Sequence, residues 1–192
     1  MSKKLEGKIA LITGGSRGIG LRSPNAWLRT ERQSPSRIPR GADAAGSVVK
    51  EIESGGGRAI AVQADASDAG AIKAAVEKAV KSLGKLDVLV NNAGTAIPKP
   101  FEQATLEELD QVIDINLRGT LVTTQAALKH MNNGGRIITI GSCVGERMMT
   151  PGLVSYAATK GAVKMFVQGL AREVGNRAIT VNNVQPGPID TS

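Results

Sequence analysis

Apolar residues along this chain fall into two alternating patterns. Short, nearly continuous apolar runs recur at Lys8–Thr13, Arg58–Asp65, Leu86–Asn91, Arg136–Gly141 and Ala178–Asn183. Such runs predict strands buried on both faces, as in a parallel sheet. Between them lie segments whose apolar positions follow helical spacing. Ala42–Glu53 is one, closed by Gly55-Gly-Gly57. Ala69 to about Leu83 is a second, with Ile72, Ala75, Val76, Ala79 and Val80 on one face and Ser67 as its N-cap. A long helical region covers about Thr105–Met131, stopped by Gly134-Gly135, and another covers about Val154–Val174. Strands alternating with helices predict one α/β domain over residues 1–192, its parallel sheet joined by right-handed crossovers with helices on both faces.

One stretch breaks the alternation. Leu21–Arg40 holds Pro24, Pro35 and Pro39 and sustains no helical period. It predicts loop or disorder where the alternation calls for a helix and a strand. Strand 58–64 is then expected to lack the neighbour that would join it to strand 8–13.

The polar clusters share one location. Thr13–Gly20, Asp65, Asn91–Gly94, Gly141–Ser142 and Pro186–Thr191 each lie at the carboxyl end of a predicted strand, where open α/β sheets bind their ligands. Glycines in Gly14-Gly-Ser-Arg-Gly18-Ile-Gly20 permit a sharp turn and close approach to a phosphate, although their spacing differs from the usual dinucleotide fingerprint. Tyr156 and Lys160 stand four residues apart on a predicted helix, about 6 Å between Cβ atoms. A free tyrosine titrates near ~10. An ammonium held close favours the phenolate, so this spacing predicts a lowered phenol pKa and a general acid/base near working pH. Ser142, at a strand end, is placed to hold a substrate oxygen beside the phenol.

Composition narrows the partners. The net charge is +7, but residues 21–40 carry five arginines against Glu31 alone, and the remaining excess is spread among acids. That distribution argues against a nucleic-acid surface. Hydrophobic residues make up 41% and aromatic residues only 2%, so the core must be aliphatic. A single cysteine, Cys143, excludes a disulfide framework and suits a reducing compartment. No apolar run approaches the ~20 residues of a membrane span, and the start has no secretory signal pattern. A cytoplasmic location is expected, and no metal site is assigned.

Taken together, Thr13-Gly-Gly-Ser-Arg-Gly-Ile-Gly20, Asn91-Asn-Ala-Gly94, Asn116, Ser142, Tyr156-x-x-x-Lys160 and Pro186-Gly187 resemble the short-chain dehydrogenase/reductase family. The resemblance covers residues 5–20 and 41–192, with 3-oxoacyl-[acyl-carrier-protein] reductase-like members looking nearest. It implies a three-layer Rossmann-type fold with a doubly wound parallel sheet, and a carbonyl reductase using NAD(P)(H). Tyr156 would then donate the proton, Ser142 would position the carbonyl, and Lys160 would also hold the nicotinamide ribose. Asn116 would bend its helix and bind a water in a proton relay. Gly14, Gly18, Ile19 and Gly20 would line the pyrophosphate, with Ser16 and Arg17 near the adenosine. A basic residue at Arg17 resembles the NADP-preferring members. Asp65 and Ala66 would face the adenine, unless Asp65 is only a helix-leading turn residue. Asn92, Ala93 and Gly94 would pack against the ribose and steady the sheet. Pro186, Gly187, Ile189 and Thr191 would fix the nicotinamide end. Family members are homodimers or homotetramers acting on small carbonyl or alcohol substrates.

Two departures from the family qualify these expectations. Residues 21–40 have the length of the family's first helix and second strand but unrelated composition, as a compensated pair of frameshifts would produce. Relatives also continue past the position of Ser192 with lid helices, a further helix and a last strand, so the domain is expected to be truncated. The competing reading is an inactive fragment or a non-catalytic nucleotide-binding regulator. In its favour, Ile140–Met148 and Val184–Thr191 resemble a cyclic-di-GMP-binding member of the same family.

Overall fold

The structure is a computed structural model that describes residues 5, 7–15, 28–30, 40–148 and 150–189. Its strands are β1 (Ala10–Thr13), β2 (Leu28–Thr30), β3 (Ile60–Ala61), β4 (Leu86–Asn91), β5 (Met131–Ile140) and β6 (Thr180–Val184). They lie in the order β3-β2-β1-β4-β5-β6 with every neighbouring pair parallel. From β1 the chain works outward to β3 and then crosses back to β4. The reversal between β1 and β4 opens a crevice at the carboxyl ends of the strands. Helices among the described residues are α1 (Arg40–Ser54), α2 (Ala69–Leu83), α3 (Leu106–Ile113), α4 (Gly119–Leu128) and α5 (Val154–Glu173). Among the described residues, no helix is long and apolar enough to cross a membrane.

The 21–40 stretch corrects one expectation. Leu28–Thr30 forms a strand between β1 and β3, with Leu28 opposite Leu11 on one side and Ile60 on the other. It comes before Pro35 and Pro39, whose missing N–H groups argued against a strand here, so the ladder avoids both. Strand β3 therefore has its neighbour, although it shrinks from the eight residues expected to Ile60–Ala61. The expected loss of the first helix falls on residues outside those described.

Parallel register decides which residues meet. Leu11, Leu89, Ile137 and Val181 lie opposite one another across β1, β4, β5 and β6. This row is buried against Ala75, Val76 and Ala79 of α2 and Val167 and Leu170 of α5. Alternating side chains send Ile12 and Val90 to the other face, where they meet Val48 and Ile52 of α1. Two residues beyond the apolar row, on its own face, comes a polar one. It contains Thr13, Asn91, Thr139 and Asn183, with Asn91 opposite Thr139 and Thr139 opposite Asn183. Asn91 Nδ2 donates to Thr124 Oγ1 of α4 at 2.8 Å and to Thr139 Oγ1 at 3.4 Å.

Helix boundaries shift where local hydrogen bonds outbid pattern. Asp68, not Ser67, caps α2, its Oδ1 accepting from Gly70 N at 2.7 Å and Ala71 N at 3.1 Å. The long helical region starts at a capping box between Thr105 and Glu108. It passes through a π-turn at Asp114–Arg118 and ends at Leu128, because β5 already begins at Met131.

Just after that π-turn, Gly119 packs on the turn that follows β3. A Cβ on Gly119 would overlap the Ala66 carbonyl oxygen and stand 3.1 Å from Asp114 O. Both obstacles are backbone and cannot rotate away. Gly119→Ala is expected to cost about 1–3 kcal/mol by overpacking, seen as a lower urea midpoint at unchanged slope. A change below about 0.5 kcal/mol would show that α4 slides freely over this turn.

Candidate active site

The carboxyl edge of the sheet is built from side chains that tie neighbouring strand ends together. Thr13 Oγ1 accepts from Asn92 N and Ala93 N, each at 3.0 Å. Asn92 Nδ2 returns to Thr13 O at 3.1 Å and Gly14 O at 2.9 Å. Its amide nitrogen is thus spent on the sheet, which supports the steadying role expected of it. Gly14 has φ +63°, and a Cβ there would lie 2.8 Å from Ala93 Cα. Only glycine combines that left-handed backbone with such close approach. Ser16, Arg17, Gly18, Ile19 and Gly20 lie outside the described residues, as does Thr191.

Asn116 sits in the π-turn and is 1% exposed. Its Oδ1 accepts from Thr95 N at 2.8 Å, while Nδ2 donates to Thr95 O at 2.9 Å and to Thr159 Oγ1 at 3.1 Å. The π-turn interrupts the regular helix at this residue, and the amide locks it to the β4 loop and to α5. Glycine at position 94 leaves a notch beside it: a Cβ there would stand 3.4 Å from Asn116 Oδ1 and 3.6 Å from Lys160 Nζ.

Helix α5 brings Tyr156 and Lys160 to the same edge. Lys160 is 5% exposed, and its Nζ donates to Ile140 O, the last residue of β5, at 2.7 Å. That nitrogen lies 5.5 Å from the centre of the Tyr156 ring. Ser142 follows β5 and lies near enough to the phenol to favour its ionised form. Asn116, Ser142, Tyr156 and Lys160 therefore converge, as the sequence predicts.

Their ionisation differs from expectation. Burial pushes the Tyr156 phenol above its ordinary value; the nearby Ser142 hydroxyl opposes this, and the nearby Cys143 thiol adds to the rise. Burial also pushes Lys160 down to about 8. The lowered phenol expected from Tyr-x-x-x-Lys is thus corrected. The ammonium is aimed at a backbone carbonyl and faces the ring, so its pull on the phenol oxygen does not offset desolvation.

Other candidates divide. Asp65 Oδ1 accepts from Ser67 N at 2.8 Å and Ser67 Oγ at 2.7 Å, the helix-leading turn that was its competing reading. Pro186 is held at the site by its carbonyl, which accepts from Cys143 N at 3.1 Å, and Gly187 and Ile189 follow it. Thr159 escaped the sequence reading. Its Oγ1 donates to Tyr156 O at 2.7 Å and receives the Asn116 amide, yet it occupies a spacer position of the Tyr-Lys pattern. Only its neighbours in space reveal its role.

These groups fit a dinucleotide. Gly14 lets the end of β1 pack directly on Ala93 at the rim, and Lys160 uses one of its three N–H bonds on Ile140 O among the described residues, which leaves donors for a ligand's hydroxyls.

Comparison with known proteins agrees with this geometry. A profile described as short chain dehydrogenase matches residues 8–192. An uncharacterized oxidoreductase of Methylorubrum extorquens is 42% identical over 188 residues, spanning 98% of this chain and 75% of that protein. A probable tetrahydroxynaphthalene reductase of Zymoseptoria tritici is 38% identical over 190 residues, spanning 99% of this chain and 71% of that one. The solved structure of a short chain dehydrogenase from Burkholderia cenocepacia in complex with NADP superposes with a TM-score of 0.89 at 42% identity, covering 97% of this chain and 76% of that chain. With its sheet order, its converging Asn-Ser-Tyr-Lys set and these relatives, this chain belongs to the short-chain dehydrogenase family of NAD(P)-dependent enzymes.

Proposed function

We propose that this chain reduces a ketone, of 3-oxoacyl or related kind, to an alcohol, with NADP(H) favoured over NAD(H). The observation that carries the reading is the convergence of Ser142, Tyr156, Lys160 and Asn116 at the carboxyl ends of β4 and β5. A reductase-named relative and an NADP-bound structural neighbour support it. When bound, the dinucleotide supplies a hydride. Gly14, Ala93 and Gly94 would accommodate it by backbone approach, Lys160 by N–H groups that no described residue takes up, and Pro186, Gly187 and Ile189 at its nicotinamide end. Arg17 would pair with a 2′-phosphate.

The chain's own residues handle the proton. Ser142 holds the substrate oxygen beside the Tyr156 hydroxyl, and Tyr156 gives its proton to that oxygen. Lys160, charged below pH about 8, stabilises the phenolate as it forms. Asn116, locked by Thr95 and Thr159, keeps the β4 loop and α5 at a fixed separation behind the lysine.

Tyr156→Phe is expected to lower NADPH-dependent reduction of a panel of β-keto esters and aromatic ketones by about 10²–10⁴-fold, with NADPH binding retained. Full activity without the phenol would sink the assignment.

Lys160 provides a second check through stability. Its folded value of about 8 lies below the ordinary 10.5. Between those values the unfolded chain binds more protons, so this residue's contribution to stability rises with pH across that window. Below about 8 both states are charged, and the full desolvation cost remains. Stability of the chain relative to Lys160→Met should therefore increase from pH 8 to 10 in urea unfolding. A constant difference would mean the ammonium is solvated.

Cofactor choice is tested by titrating NADPH and NADH into the chain and into Arg17→Ala. Tighter NADPH binding, lost selectively in the variant, is expected. Equal affinities in the unaltered chain would refute the preference.

A further inference from the structure

The short turn carrying Ser142 is closed by its own backbone bonds, from Gly145 N to Ser142 O at 3.0 Å, Glu146 N to Cys143 O at 3.1 Å and Arg147 N to Cys143 O at 3.0 Å, and these fix its shape but not its position against α5. Within it, Ser142 Oγ accepts only a long bond from Val144 N, at 3.4 Å. Gly145 rests on α5 so closely that a Cβ would stand 2.8 Å from the Lys160 carbonyl carbon and 3.0 Å from Gly161 N. That contact limits approach but does not prevent sliding. Backbone bonds hold the start of the turn, from Gly141 N to Val184 O at 2.7 Å and from Cys143 N to Pro186 O at 3.1 Å.

Its far end is also held by a side chain. Glu146 Oε1 accepts from Gln185 Nε2 at 2.7 Å and pairs with Lys164. Lys164 stands one helical turn beyond Lys160 on α5, and Gln185 immediately precedes Pro186. One carboxylate thus spans the Ser142 turn, the helix carrying Tyr156 and Lys160, and the segment after β6.

We propose that Glu146 is a positioning residue, which clamps the 142–147 turn to Lys164 and Gln185 and thereby fixes Ser142 against Tyr156. This rests on the reading of Ser142 and Tyr156 as catalytic partners. Both ends of the ion pair are substantially exposed, with side-chain exposures of 36% for Lys164 and 45% for Glu146. Such pairs add little to global stability, so breaking this one leaves the fold standing and registers at the phenol.

Tyr156 is the only tyrosine in the chain, so a phenol titration reports on it alone. The chain of 192 residues is produced with 3-fluorotyrosine, which titrates at a lower pH than tyrosine, and followed by fluorine NMR. Glu146→Ala and the neutral exchange Gln185→Met are each expected to raise the phenol pKa by several tenths of a unit, with unchanged thermal unfolding and Glu146→Asp partly restoring it. Neither is expected to shift it in a Ser142→Ala background. Simple loss of a carboxylate charge predicts the opposite sign for Glu146→Ala and no movement for Gln185→Met; that result overturns the clamp. Equal shifts with and without Ser142 also overturn it. If Ser142→Ala alone leaves the phenol unmoved, the catalytic pairing fails and the clamp fails with it. If Ser142→Ala raises the phenol pKa but the Glu146 and Gln185 variants do not, only the clamp fails. Should Glu146→Ala not fold, Gln185→Met decides the matter with the same outcomes.

Discussion

The register between β1, β4, β5 and β6 is the constraint on which the remaining features depend. It aligns Leu11, Leu89, Ile137 and Val181 into a buried apolar row, and the polar groups follow two residues later on the same face. A slip of one residue in any strand would turn its share of both rows toward α1. The core therefore enforces the position of the site. Burying four aliphatic side chains, each worth about 1.5–3 kcal/mol, holds Asn91 and Thr139 beneath α4 and leaves Asn92, Gly94 and Ser142 at the rim.

Above the sheet, backbone hydrogen bonds that regular structure leaves unmet are turned to use. A π-turn at Asp114–Arg118 breaks the regular ladder of the helix, and the Asn116 side chain uses that irregularity to bond both N and O of Thr95. Thr120, Thr123 and Thr124 each return a hydroxyl bond to the carbonyl four residues earlier, so α4 buries polar side chains without leaving those hydroxyls unpaired. This lets a helix rich in small polar residues pack under the site.

Much of this was legible in the sequence because two periodicities were clear. The runs at 8–13, 86–91 and 136–141 and the Ile72–Ala79 face could only be strands and a helix, and alternation fixed their parallel pairing. Strand ends and one helical spacing brought Ser142, Tyr156 and Lys160 together, whereas Asn116 was expected beside them only through the family resemblance. What stayed hidden depends on direction in space. Three residues, Leu28–Thr30, are too few to carry a pattern, and their strand is made by its neighbours. Ser67 and Asp68 are both good caps, and the choice was made by Asp65, which takes the Ser67 N–H and hydroxyl for itself. The phenol's raised pKa reflects its burial, which spacing alone does not specify.

That raised phenol suits a proton donor. On the proposed reading, the site must hold its proton until the substrate oxygen develops negative charge. A phenol already ionised at neutral pH would have nothing to give. Burial keeps Tyr156 protonated, and the same burial brings Lys160 to about 8, still cationic at neutral pH. The two values are moved apart from those a simple ion pair would adopt, and each group waits in the state that reduction requires. The lysine then contributes most when the phenolate forms, so its stabilisation is concentrated in the transition state rather than spent on the resting site. Oxidation in the reverse sense needs the phenolate first, and desolvation opposes it. On the proposed reading, the resting site is thus set to donate a proton.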